Sequence, residues 1–431
     1  NVLVGTMSMP ESGRTGFRFV RIDNADENAS VSFNAFYAAA TFRDIEYRGS
    51  FRSNDAQLNR IFDTAAYTLH LCMQEYLWDG IKRDRAVWIG DMYPEIAALC
   101  CVFGENKIVE KCLDLTRDYT APDRCINGIY SYSLWWIWVL HRYYMQNADF
   151  AYLQKQKDFI VHLTRRYASA VDENGNFVLP KGQWALFDWP ANDNAELSRS
   201  GVHTLLLLAF EKAAFLLREL SDEENAAFCE KTAEKMRRAV LPDFDYKQVA
   251  AVHVLAGLRD AETENKRLLS QNGDSGISTF LGMFTYAART LANDTKGALS
   301  NIRGVYGGML NRGATSFWED FDPSWCENTP EGLEDLHGDR GAFCYVGFRH
   351  SLCHGWSAGV CAYLAEYVLG VRIVKSGCRE IELCPSLGDL TELSGTYPTP
   401  YGNLEIHCTN ENGKVKTTYK APAGVTVTVK E

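Results

Sequence analysis

Hydrophobic and polar positions change rhythm twice along the chain. Residues 1–50 alternate, as in Gly16-Phe17-Arg18-Phe19-Val20-Arg21-Ile22 and Val31-Ser32-Phe33-Asn34-Ala35-Phe36. A period of two turns every second side chain to one face, which predicts strands. So short a segment cannot close a sheet alone, so residues 1–50 read as the end of an N-terminal β domain whose earlier strands are missing. From about Asn54 to Gly370 apolar residues recur three or four apart instead. Ser53 or Asn54 is placed to cap a first helix through Leu58, Ile61, Ala65 and Leu69. Similar amphipathic stretches follow near 93–103, 106–118, 131–146, 150–169, 201–219, 222–239, 279–292 and 351–369. Roughly a dozen successive helices without intervening strands point to stacked helical hairpins. No repeat is strong enough for a solenoid, so residues 51–370 are expected to form a closed helical barrel. After Gly370 the rhythm returns to two, in Val371–Val374, Glu380–Leu383, Leu404–His407 and Val425–Val429, with Pro398, Gly402 and Asn412-Gly413 at turns. Residues 371–431 therefore predict a small antiparallel β-sandwich.

Composition narrows the function classes. The chain has 431 residues, 46% hydrophobic and 23% charged, with a formal net charge of −11. Nucleic-acid binding needs clustered Lys and Arg to displace counterions, and no basic stripe is present. No apolar run reads as long enough to cross a bilayer. The expectation is a protein without nucleic-acid or membrane partners, in a bacterial cytoplasm or periplasm; the sequence leaves the compartment and oligomeric state open. The 13 cysteines are odd in number and lie mostly in apolar helical stretches (Cys100, Cys101, Cys112, Cys229, Cys361). They read as small buried hydrophobes in a reducing setting, and no CxxC pair offers a zinc site. Aromatics make up 12% of residues, with 10 Trp and 21 Tyr. They fill core, and they also suit a cleft that stacks sugar rings.

Four segments could carry chemistry. Asp79-Gly80-Ile81-Lys82-Arg83-Asp84-Arg85-Ala86-Val87-Trp88-Ile89-Gly90-Asp91 places three carboxylates, three cations and a Trp between two helical stretches. Glycosidic cleavage needs one carboxyl to protonate the leaving oxygen and another to act on water or the sugar carbon. Neighbouring charges can separate their pKa values. Taken alone, the segment also reads as a solvated loop laced with ion pairs. Thr315-Ser316-Phe317-Trp318-Glu319-Asp320 offers a Glu among aromatics, or simply a helix-edge Glu beside a core Trp. The acidic run after it (Asp322, Glu327, Glu331, Glu334, Asp335, Asp339) reads as a solvated loop. His350 and His354 stand four apart, a spacing that could hold a metal on one helix face. No Glu lies between them in the zinc-protease arrangement, so no metal is expected. His354 then packs, or bonds a substrate hydroxyl. Tyr130–Trp138 reads as core, whereas Asp188-Trp189, followed by Pro190, lies in a loop and is the better site candidate. No GxSxG, GxxxxGK[ST] or strand-borne GxGxxG occurs, which removes common hydrolase, kinase and dehydrogenase classes.

In order, these segments resemble the inverting α-L-rhamnosidases of glycoside hydrolase family 78. That family's signature, approximately D-C-P-x-R-E-R-x-G-W-x-G-D, is followed at identical spacing from Asp79 to Asp91. Asp79, Arg83, Arg85, Trp88, Gly90 and Asp91 match; Gly80, Ile81 and Val87 depart, and Asp84 replaces the general-acid Glu. Gly16-Phe17-Arg18-Phe19 resembles the strand before the barrel, Asp188-Trp189 the D-W loop, and Thr315–Glu319 the T-T-x-W-E base segment. Ser351–His354 is similar to S-x-N-H at the last barrel helix, and the stretch from Gly395 onward to the closing sandwich. The resemblance implies a mainly α chain: an (α/α)6 six-hairpin barrel after the end of a β domain and before a small β-sandwich. It implies an exo-acting, inverting hydrolase that releases terminal α-L-rhamnose or a related sugar and needs no cofactor. Asp84 would be the general acid and Glu319 the general base, about 6.5–9.5 Å apart to admit water. Asp79, Arg83, Trp88, Asp91, Asp188, Trp189, Trp318, His354 and Trp356 would bind the sugar. Two rivals stand beside this reading: another (α/α)6 glycosidase or unsaturated-sugar hydrolase, and a non-catalytic glycan-binding protein whose Asp84 cannot reach.

Overall fold

The protein is described by a computed structural model that covers residues 21–430 apart from 27, 82, 83, 105, 327–349 and 412. Its helices alternate between two rings. The outer ring holds α1 (Ala56–Cys72), α3 (Ile108–Asp118), α5 (Phe150–Ala168), α7 (Glu223–Arg237), α9 (Ala261–Glu264) and α11 (Thr295–Asn311). The inner ring holds α2 (Met92–Val102), α4 (Tyr130–Asn147), α6 (Ala195–Glu219), α8 (Lys247–Leu255), α10 (Gly282–Leu291) and α12 (Gly359–Tyr363). Each inner helix packs on the next, and α12 returns to α2, which closes the (α/α)6 barrel.

The two rings differ because their surroundings differ. An inner helix meets protein on every side, so all 11 residues of α2 and 8 of the 9 in α8 are buried. An outer helix needs one apolar stripe: α5 buries 7 of its 19 residues, among them Tyr152, Ile160, Leu163 and Tyr167. Helix α8 escaped the periodicity reading because it has almost no polar face to contrast. Helix α11 escaped it because four glycines dilute its pattern, and they are there for space. A Cβ on Gly307 would lie 2.1 Å from the Gln57 amide, and one on Gly308 would lie 2.8 Å from the Phe321 ring. The aromatic run on α4 is core, as expected. Trp135 packs 5.2 Å from Tyr93 and stacks on Phe284 at 6.3 Å, contacts worth about 0.5–1.5 kcal/mol each beyond burial.

Several expectations are corrected. Val31–Phe36 is not a strand: residues 21–49 carry no regular element where described, and Phe33 and Phe36 are exposed. Alternation marks a strand only where another strand supplies hydrogen bonds, and none pairs with this stretch among the described residues. Gly16–Val20 lies outside the described residues. The cap of α1 is Asp55, whose carboxylate accepts from the Gln57 and Leu58 amides at 2.8 and 3.1 Å. Asn54 instead turns its side-chain oxygen to the amides of Thr391 and Glu392. Helix α6 is long and apolar enough to cross a membrane by length and composition, contrary to the sequence reading, and it is largely buried inside the barrel. His350 and His354 do not share a helix face, because the chain between them is irregular and only Gly355–Ala358 begins a 3₁₀ turn. Eleven of the cysteines are free, and ten of these are buried.

The C-terminal region is two sheets. One has the order β1 (Ser50–Ser53), β4 (Glu392–Thr399), β5 (Gly402–Glu411), β6 (Lys414–Lys420); the other has β2 (Val371–Lys375), β3 (Glu380–Leu383), β7 (Thr426–Val429). Strand β7 runs parallel to β3, departing from a purely antiparallel pattern. The chain leaves β6 in one sheet and crosses to the other, and a crossing of that kind can deliver a parallel pair where a hairpin cannot. Strand β1, at the head of the barrel sequence, pairs antiparallel with β4, with Ser50 opposite Thr396.

Candidate active site

The inner helices begin at one end of the barrel, and the acidic residues singled out above collect there. Asp91 and Tyr246 stand just ahead of α2 and α8, Tyr132 lies in the first turn of α4, and His354 opens the turn that leads into α12. Helix N-termini present unpaired amides and a positive partial charge, which offsets part of the cost of gathering carboxylates.

The Asp79–Asp91 segment is held by its own first residue. Asp79 accepts the Asp84 amide at 2.8 Å on one oxygen and the Ala86 amide at 2.9 Å on the other. Between those two bonds Arg85 takes a left-handed backbone, φ 58°. That conformation costs a non-glycine residue about 1–2 kcal/mol and persists here because both flanking amides are clamped. Half-buried Asp84 sits within this clamp. Further along, the Asn127 side chain accepts from the Ile89 amide (3.1 Å) and donates to the Val87 carbonyl (3.0 Å). Half-buried Trp88 meets Tyr132 edge to face at 6.1 Å. Gly90 is required by that ring, since a Cβ would lie 2.5 Å from it. Arg83 lies outside the described residues.

Three distant segments are then laced together. The Gly355 amide donates to the Asp79 carbonyl at 2.6 Å, the His354 amide to Phe317 at 2.9 Å, and the Glu319 amide to Ser351 at 2.8 Å. Buried Glu319 accepts the Ser351 amide on its carboxylate at 3.2 Å. Asp91 lies between Tyr132 Oη and His354 Nε2, each 3.2 Å away. Burial opposes charge on the His354 imidazole, but the Glu319 charge, the Asp91 bond and Asp79 together raise its pKa above the usual range. Burial raises Asp79 to about 7, with His354 opposing and Asp91 adding to it. Asp91 is raised by burial too, against the pull of His354. Trp318 and Trp356 are buried. Trp356 donates its indole N–H to the Glu319 carbonyl at 2.7 Å and stacks on Phe280, so it stands behind Glu319.

Asp188 faces the other side. It accepts Trp189 N–H (2.9 Å), Tyr246 O–H (2.9 Å) and Ser278 O–H (2.7 Å), while burial lifts it to about 6 against these bonds. Half-buried Trp189 adjoins the more exposed Trp184, ring centres 5.9 Å apart, at the lip. The Asp322 carboxylate accepts the Gly276 and Ser324 amides; the rest of the acidic run lies outside the described residues. Sequence reasoning missed Asn127, Tyr132, Tyr246 and Ser278. Each stands shortly before or just inside an inner helix, a position visible only once the inner helices are known. It also passed over Glu95, a fully buried carboxylate one turn beyond Asp91 whose oxygens have no hydrogen-bond partner; burial, then Asp91 and Asp79, keep its pKa well up.

The site thus joins carboxylates from two parts of the chain around one imidazole, with Asp188 on the other side, a composition suited to proton transfer at a glycosidic bond. The fold is shared with solved structures at TM-score 0.73: a GH78 family rhamnosidase of Bacillus sp. GL1 (24% identity, 90% of this chain and 43% of that one) and an α-L-rhamnosidase of Streptomyces avermitilis complexed with L-rhamnose (17%, 90% and 39%). A rhamnosidase from Klebsiella oxytoca with rhamnose bound matches at TM-score 0.61 and 22% identity, over 75% of this chain and 66% of that one. The chain spans less than half the length of the first two structures. No curated protein sequence matches it. Residues 46–254 match the bacterial α-L-rhamnosidase six-hairpin glycosidase domain and residues 370–430 the bacterial α-L-rhamnosidase C-terminal domain, and by these two domains the chain belongs to the bacterial α-L-rhamnosidase family.

Proposed function

We propose that the protein is an exo-acting, inverting glycoside hydrolase that releases terminal α-L-rhamnose or a closely related sugar. The observation that carries this reading is the lacing of the Asp79–Asp91 loop, the Glu319 segment and His354 into one acidic centre. In the proposed reaction Asp84 protonates the leaving oxygen and Glu319 takes a proton from the attacking water. Water adds to the anomeric carbon as the glycosidic bond breaks, so the configuration inverts. Asp79, Asp91 and Asp188 hold ring hydroxyls, with Arg83 and His354 in support. Trp88 and Trp189 line the sugar, and Trp318 and Trp356 brace Glu319 from behind.

Asp84 is one methylene shorter than the Glu it replaces, and a misplacement near 1 Å can cost about a hundredfold. The Asp79 clamp on the Asp84 amide supports a backbone position suited to the shorter acid. The test is turnover of p-nitrophenyl α-L-rhamnopyranoside by the chain and its Asp84→Asn and Glu319→Gln variants, with NMR of the first sugar anomer released. Turnover lost in both variants, with inverted product, is the expected result. Activity undiminished in Asp84→Asn overturns the acid assignment; retained configuration overturns the mechanism.

A further inference from the structure

The reaction above leaves Asp320 unused. Its amide donates to His350 Nε2 at 3.2 Å, and its Oδ1 accepts the Phe321 amide at 2.9 Å. Those two bonds fix the residue. Its Oδ2 has no hydrogen-bond partner among the described residues, although the residue is only 9% exposed. Oδ2 is not fully enclosed, so a partner from outside the protein can reach it.

The neighbours define what would fit. The Coulombic influences on Asp320 include Asp188, Glu319 and Asp322, all acidic, and Tyr246 feels its charge in turn. His350 accepts the Asp320 amide on its Nε2. The hydroxyls of Tyr246 and Ser278 spend their hydrogens on Asp188, so toward the cleft the Tyr246 oxygen can only accept. A partner here must both give and receive hydrogen bonds, as a sugar hydroxyl does. We propose that Asp320 binds a ring hydroxyl of the sugar held beside Glu319 and so helps select which sugar is accepted, an inference that rests on the glycosidase reading. Burial and Asp188, partly opposed by the Phe321 amide, push the Asp320 carboxyl up to about 8. At neutral pH it therefore keeps its proton and donates.

The test measures KM and kcat on p-nitrophenyl α-L-rhamnopyranoside between pH 5 and 9.5, with a melt at each pH, for the chain, Asp320→Ala and Asp320→Asn. Loss of the donor in Asp320→Ala should raise KM about tenfold, equivalent to ~1.4 kcal/mol, with kcat changed less. Asp320→Asn keeps an N–H donor at every pH. It should hold KM within about threefold and abolish the rise in KM expected of the unmodified chain above pH 8. An unchanged KM in folded Asp320→Ala, or the same pH dependence in Asp320→Asn as in the unmodified chain, overturns the inference. If the chain turns over a different aryl glycoside, the rhamnose assignment fails and the same variants decide Asp320 on that sugar. If it turns over none, calorimetry with L-rhamnose replaces KM; equal affinity of chain and Asp320→Ala overturns the inference, and no binding overturns both readings.

Discussion

The two sides of the acidic centre keep their carboxylates in different ways. On one side an imidazole does it: His354 bonds Asp91 and lies in the field of Asp79 and Glu319. On the other, around Asp188 and Asp320, neutral hydroxyls and amides do it, from Tyr246, Ser278, Trp189 and Phe321. Burial lifts carboxyls on both sides, Asp79 to about 7, Asp188 to about 6 and Asp320 to about 8. Three donors favour the charged form of Asp188, whereas Asp320 receives only the Phe321 amide on its carboxyl and has acids for neighbours, which favours its proton. The difference teaches that a cluster of acids need not be uniformly charged, and that the donors each carboxyl receives divide it by function.

The sharpest break is chemical. Asp84→Asn and Glu319→Gln should each lower kcat by at least a hundredfold while leaving the melting temperature within a few degrees, because neither change empties the core. Equal losses in kcat and in stability would mean that the loop, not the proton transfer, was damaged.

Removing the imidazole comes next. His354→Gln leaves Asp91 buried without its charged partner, a change that typically costs about 3–5 kcal/mol. A raised histidine pKa in the folded state contributes stability that is fully present below the unfolded value near 6.5 and is lost as pH rises through the folded value. The melting gap between the chain and His354→Gln should therefore be widest at pH 5–6 and narrow toward pH 9. A gap that widens with pH would show that His354 is not held as a cation.

Crowding the same side is milder. Gly90→Ala drives a methyl into the Tyr132 ring and should cost about 1–3 kcal/mol in denaturant unfolding, with a larger loss of activity as the Tyr132 bond to Asp91 shifts. Stability unchanged in this variant would mean that the ring can move aside.

The smallest effect tests the neutral side. Asp320 loses its proton near 4 in the unfolded chain and at about 8 in the folded one, so the stability linked to its protonation falls as pH rises through that window. Asp320→Asn removes the titration. It should melt like the unmodified chain at pH 4 and a few degrees higher at pH 9. A variant less stable at pH 9 than at pH 4, relative to the unmodified chain, would argue that Asp320 is ionised after all.

Much of this was legible in the sequence, unevenly and for physical reasons. Asp79, Asp84 and Asp91 stand at fixed spacing inside one loop, and Glu319 and His354 lie in short motifs, so local order was enough to find them. Their meeting was not legible, since it depends on amides at 319, 354 and 355 reaching carbonyls far along the chain. Tyr246 and Ser278 carry no motif; they matter because they precede α8 and α10, and α8 itself shows no amphipathic rhythm. The Val31–Phe36 alternation misled because period two reports a preference, while a strand also requires a partner.

Strand β1 bears on how the molecule comes to be folded. Ser50 bonds Thr396, 346 residues further on, across the whole barrel sequence. At a synthesis rate of about 5–20 residues per second, that partner leaves the ribosome roughly 17–70 seconds later. For that interval Phe51 has no sheet to complete, and the strand offers an open edge to any neighbouring nascent chain. A later-made part of the chain thus closes over an earlier one. A premature stop anywhere before Glu392 would leave that edge unpaired and, we expect, an aggregating product instead of a smaller soluble barrel.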